Sequence, residues 1–120
     1  MNRPSALFSL FLLAILVSPA AGETGIASHY DHPTGNVACP PHPRFDPRAM
    51  TAAHRTLPCG TRVRVHLVKP AARRRLPNSL TVTITDRGPF IANRIIDLSI
   101  GAARALGFEG LAMVRLEIIH

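Results

Sequence analysis

The sequence has no tryptophan, one tyrosine and five phenylalanines in 120 residues. That is too few aromatics for a platform on which nucleic-acid bases stack. Two cysteines exclude a disulfide-dense miniprotein and a four-cysteine zinc site. Acidic residues are scarce as well. Only 7 Asp+Glu stand against 14 Lys+Arg, a formal charge of +7 with histidine neutral. No apolar run reaches the ~20 residues of an ordinary membrane span, and no internal repeat is evident. What is present is a hydrophobic fraction of 47%, which excludes an intrinsically disordered chain. The length allows one domain and leaves no room for two.

Residues 1–20 have the pattern of an export signal. Arg3 supplies the positive end, Ala6 to Val17 is apolar or small throughout except for Ser9, and Ser18-Pro19-Ala20 offers small residues for cleavage. A mature domain over 21–120 is expected. In an oxidising compartment, Cys39 and Cys59 are most simply a disulfide. A metal site using both cysteines and nearby histidines is the alternative, but no Cys-x-x-Cys or His-x-x-x-His spacing supports it. No metal or cofactor is expected.

The mature chain reads mostly as short strands. Gly25 to Tyr30 is a first short strand. Asp31 to Arg48 contains Pro33, Pro40, Pro41, Pro43 and Pro47 and reads as irregular. Ala49 to His54 is either one helical turn or an extended piece. Thr61 to Val68 alternates, with Val63, Val65 and Leu67 on one face. Leu80 to Thr85 alternates again, and Asp86 to Asn93 reads as turn-rich. Arg94 to Leu98 is a strand, Ser99 caps a short helix from Ile100 to Leu106 ended by Gly107, and Leu111 to Ile119 is the last strand. Many short strands in so small a chain favour a closed barrel or a sandwich. Arg73-Arg74-Arg75 reads as a solvated loop face.

Three segments together resemble the rare lipoprotein A (RlpA)-like proteins. They are Gly25-Ile-Ala-Ser-His-Tyr30, Met50-Thr-Ala-Ala-His-Arg-Thr-Leu-Pro-Cys-Gly-Thr-Arg-Val-Arg-Val65, and Ile84-Thr-Asp-Arg-Gly-Pro-Phe90 continuing through Arg94-Ile-Ile-Asp-Leu-Ser99 to Ala105-Leu-Gly107. The resemblance runs from about Gly25 to Ile118. It implies a six-stranded double-psi β-barrel with one short helix, about 99–106, before the last strand. It also implies a lytic transglycosylase that cuts peptidoglycan strands, preferring peptide-free ones, and leaves anhydro-N-acetylmuramic acid ends. Relatives often carry a further glycan-binding domain. None is expected after His120, so septal targeting is not implied.

Lytic cleavage needs one acid to protonate the leaving glycosidic oxygen. The C6 hydroxyl of the muramyl residue then attacks the anomeric carbon, so no catalytic water and no second carboxylate are obligatory. Asp86 is the candidate acid. By its sequence alone, Asp-Arg-Gly-Pro reads first as turn chemistry, and the resemblance reverses that order in favour of catalysis. His54 is the second catalytic candidate, with a structural histidine as the competing reading. Tyr30, Asp46 and Arg87 are candidates for substrate binding. Asp46 also suits an Asx turn before Pro47. Asp97 reads as structural, bonded to Arg87 or to amides ahead of the helix.

The sequence departs from the family at two positions. Pro43 stands where active relatives commonly carry an acid, and His29 stands where a tryptophan is common. A non-catalytic, expansin-like glycan-binding protein is therefore the alternative to an enzyme. Peptidoglycan strands are the expected partner, with a monomer acting without membrane attachment once the leader is gone. Net positive charge would also suit nucleic acid, but the leader and the sparse aromatics argue against it.

Overall fold

The computed structural model describes residues 22–32, 35–40, 45–70 and 74–120. The expected leader, Pro43 and Arg73 lie outside the described residues. The strands are β1 (Thr24–Tyr30), β2 (Val37–Ala38), β3 (Thr51–Ala53), β4 (Arg62–Leu67), β5 (Ser79–Arg87), β6 (Arg94–Ser99) and β7 (Ala112–Ile119). A single helix, α1 (Ile100–Leu106), lies between β6 and β7. The sheet runs in the order β2-β5-β3-β6-β1-β7-β4, and β4 pairs again with β5. That last pairing closes six strands into a barrel and leaves β2 as a short appendage on β5. Strand directions are mixed: β1 is parallel to β6 and β3 to β5, while the other pairs are antiparallel. This is the double-psi β-barrel architecture.

The alternating apolar residues fill the barrel. Val63, Val65, Val82, Ile84, Ile96, Leu98, Val114 and Leu116 are buried together, and Ala102, Ala103 and Leu106 of α1 join them. The small side chains Ala27 and Ala52 keep the interior narrow enough to be filled, as a six-stranded barrel requires. The helix starts and stops where its capping residues sit. Ser99 Oγ accepts from the Ala102 amide, and Gly107 adopts the left-handed conformation at φ 83°.

Of the two readings of Ala49 to His54, the extended one holds over Thr51–Ala53, where Thr51 pairs with Thr83 and Ala52 with both Ile84 and Leu98. Two elements differ from the sequence expectation. β5 extends to Arg87, so Asp86 lies in a strand and not in the turn. Ala38 and Ala53 pair with it from either side. Arg74 is not simply solvated: it donates to the Leu106 carbonyl at the end of α1 and to Pro77 O.

Cys39 and Cys59 form a disulfide, with Cα atoms 6.1 Å apart and a separation of 20 positions in sequence. Closure of such a loop stabilises by about 3 kcal/mol in the chain-entropy model. Ser99 carries a second tie, because its hydroxyl donates to Ala49 O at 2.5 Å and so fixes the loop after β2 to the helix start. Ser99→Ala should therefore lower unfolding stability by about 1–2 kcal/mol, measured by urea denaturation. An unchanged midpoint would show that neither bond contributes.

Candidate active site

The site begins with a register shift. Between Ala52 and Ala53 the β3–β5 pairing skips a residue, so Asp86 and not Thr85 stands opposite Ala53. On its other side Ala53 faces Asp97 of β6, and Asp97 faces Ser28 of β1. One alanine thus separates two aspartates. Bulges of this kind re-aim side chains and recur beside active sites. Both acids are sheltered, with Asp86 2% and Asp97 8% exposed.

Their surroundings differ. Asp97 is satisfied: Oδ1 accepts from Ser28 Oγ at 3.0 Å and Oδ2 from Asn36 Nδ2 at 2.8 Å. The expected bonds from Asp97 to Arg87 or to helix amides are not made, since Ser99 caps the helix. Asp86 has no ion pair among the described residues, where the three close contacts of a carboxylate with a basic side chain all join a histidine to Asp31, Glu23 or Glu117. Arg87, adjacent in sequence, turns away. Its guanidinium donates to His54 O at 2.9 Å, to Leu57 O at 2.5 Å and to Cys59 Sγ at 3.2 Å. It braces the turn after β3, and those carbonyls occupy the fork that was expected to reach substrate.

Tyr30 stands beside Asp86. Its ring stacks on Phe45 with centroids 4.4 Å apart and planes at 20°. Its hydroxyl is buried and completes no hydrogen bond. Burial, first of all, holds the phenol far above its ordinary pKa of 10.0. The charge and acceptor oxygen of Asp86 add to this, and then the charge of Asp97. A buried phenol and a buried carboxyl are thus neighbours.

His54 is buried, but its ring faces other work. Nδ1 accepts from the amides of Thr56 and Leu57, both at 3.1 Å, so the proton sits on Nε2, which donates to Glu23 Oε1 at 3.1 Å. Its link to Asp86 runs through the backbone, His54 N to Asp86 O at 3.0 Å. The geometry therefore fits a bracing histidine, bonded through amides. Asp46 is exposed and forms the Asx turn, with Oδ1 accepting from the Arg48 amide at 2.9 Å. It follows Phe45, the residue stacked on Tyr30. His29 is half-buried and tilts against Phe108 at 5.9 Å. Among the described residues no three His, Cys, Asp or Glu side chains converge as metal ligands.

The family model for lytic transglycolases matches residues 22–118. The chain belongs to this family. It is 50% identical over 99 residues to the "Probable endolytic peptidoglycan transglycosylase RlpA" of Nostoc sp., covering 79% of this chain and 25% of that protein. It is 42% identical over 99 residues to the endolytic peptidoglycan transglycosylase RlpA of Neisseria meningitidis serogroup A, covering 81% and 39%. To the protein of that name from Pseudomonas aeruginosa it is 40% identical over 95 residues, covering 78% and 26%. The chain thus spans between a quarter and two fifths of the length of these relatives.

Within this family member, Ser28, Asn36, Phe45 and Glu23 are site neighbours that sequence reasoning passed over. Ser28 lies in the quoted first segment and alternates with His29. Asn36 and Phe45 lie in the proline-rich stretch, where no periodicity marks a partner.

Because Tyr30 is the only tyrosine, its titration can be followed directly. Its folded pKa lies above the unfolded value, so the phenol's contribution to stability is intact below about pH 10. It is lost as pH rises further, because the unfolded chain then ionises first. Phenolate absorbance should appear only on alkaline unfolding. Tyr30→Phe should flatten the decline of stability above that pH. Ordinary phenol titration in the still-folded protein would contradict this burial.

Proposed function

We infer that the protein is an exported peptidoglycan lytic transglycosylase. It cleaves MurNAc-GlcNAc strands, prefers peptide-free ones, and leaves anhydro-MurNAc ends. The reading is carried by the Asp86 carboxyl, buried beside Tyr30 and without an ion pair among the described residues. Family membership and the names of the relatives support it.

In the proposed reaction, Asp86 donates its proton to the bridging oxygen as the bond from the muramyl C1 to that oxygen breaks. GlcNAc leaves with its O4 hydroxyl restored. The C6 hydroxyl of the same muramyl residue attacks C1, and Asp86, now a carboxylate, takes the hydroxyl proton. No water is consumed and no cofactor is required. With Arg87 turned to backbone carbonyls, no ion pair has to break for a proton to sit on Asp86. Tyr30 Oη, lacking a partner, is free to donate to the carboxylate formed after the first transfer. Tyr30 and Asp46 would meet substrate, while His54 and Arg87 act as positioning residues for the strand end that carries Asp86. The leader pattern supports release into the periplasm or outside the cell. Among the described residues no helix is long and apolar enough to cross a membrane.

A second reading, glycan binding without turnover, rests on the family resemblance, which implies an acid where this sequence has Pro43. Incubation with peptide-free glycan strands separates the two. Anhydro-ended products, falling by roughly 10²–10⁴-fold in Asp86→Asn, are the expected result. Retention on glycan with no product would establish the binding reading instead.

A further inference from the structure

A cavity of about 160 Å³ lies beside the aspartate row, lined by Asn36, Pro89, Phe90, Ile91, Arg94 and Asp97 among others. Phe90 and Ile91 are 64% and 57% exposed, although both are large and apolar. Arg94 has no ion pair among the described residues. Asp97 belongs both to this cavity and to the row that holds Asp86.

The walls are also held in place. Arg55 donates to Pro89 O at 3.1 Å and to Arg94 O at 3.0 Å, and so clamps the loop from both ends. The Arg94 amide closes the loop on Ile91 O at 3.3 Å. Asn36 is trapped between Asp97 and Gly88. A Cβ at Gly88 would overlap the Asn36 side-chain oxygen, and φ there is 135°. Only glycine fits at that position.

We propose that this cavity is a subsite for the acetamido group of an N-acetylated amino sugar. The inference rests on the proposed function and names how that site reads its glycan. The volume equals roughly five waters at ~30 Å³ each. It fits a four-heavy-atom acetamido group. Phe90, Ile91 and Pro89 offer an apolar wall to the methyl. Each Asp97 oxygen accepts one hydrogen bond from the protein and retains a second acceptor direction for the acetamido N–H. Arg94 supplies a donor to the acetamido carbonyl. Every polar group of the ligand thus meets its complement, and no charge is left opposing a like charge. Removal of the acetyl group leaves an ammonium, which keeps its bond to the Asp97 carboxylate but loses the methyl contact with the apolar wall and the carbonyl bond to Arg94.

The test uses peptide-free glycan strands, the same strands after chemical N-deacetylation, and the deacetylated strands after re-N-acetylation. Binding is measured in the Asp86→Asn background, which keeps the strands intact. Affinity should fall at least about tenfold on deacetylation and return on re-acetylation. Phe90→Ala and Arg94→Ala should each lose most of that discrimination while unfolding at the same denaturant concentration as the parent. Equal affinity for acetylated and deacetylated strands overturns the subsite alone. So does full discrimination retained in both variants. Failure to bind any of the three strand preparations overturns the proposed function together with the subsite.

Discussion

Two carboxyls and a phenol are buried at one end of a small barrel, and none of them has an ion pair among the described residues. Burial of a polar group without a partner costs about 1–3 kcal/mol, and more if it is charged. Asp97 avoids that cost through Ser28 and Asn36. The Tyr30 hydroxyl does not. The arrangement of Asp86 and Tyr30 persists because what surrounds them is tied independently. The disulfide joins the segment after β2 to the segment after β3. Arg87 grips two carbonyls of the same turn, and His54 accepts two of its amides. Structural bonding is spent around the pair, and the pair itself is left with capacity to bond something else.

This division of labour explains why neighbouring residues of similar chemistry carry different roles. Arg87 follows Asp86 directly, yet successive strand residues point to opposite faces, and its guanidinium is out of service as a counter-ion. His54 and Asp86 meet only through the backbone. The bulge at Ala52 and Ala53 then decides which residue of β5 faces Asp97. A regular register would put Thr85 there, and the row of two acids would not exist.

Much of the barrel was legible in the sequence. Val63-Arg-Val65 and Val82-Thr-Ile84 alternate with period two, and Ser99 and Gly107 mark both ends of the helix as capping rules require. The pairing that closes the barrel was not legible from periodicity, because alternation reports which face is buried and not which strand lies alongside. The resemblance supplied that step, and with it Asp86. Residues of the Asp31 to Arg48 stretch were the least legible. Asn36 and Phe45 take their roles from contacts with Asp97 and Tyr30, distant in sequence, and no local pattern encodes them. The same holds for Arg87, where charge suggested substrate and geometry gives it to backbone carbonyls.

The account stands on Asp86 reaching the bridging oxygen of a glycan strand. The most direct measurement is a crystal structure of Asp86→Asn with a peptide-free strand bound. The side chain at position 86 should lie within hydrogen-bond distance of a glycosidic oxygen, on the leaving side of a muramyl residue, with Tyr30 Oη directed to the same side chain. A strand bound elsewhere on the barrel, with position 86 still enclosed and touching no sugar, would contradict the account.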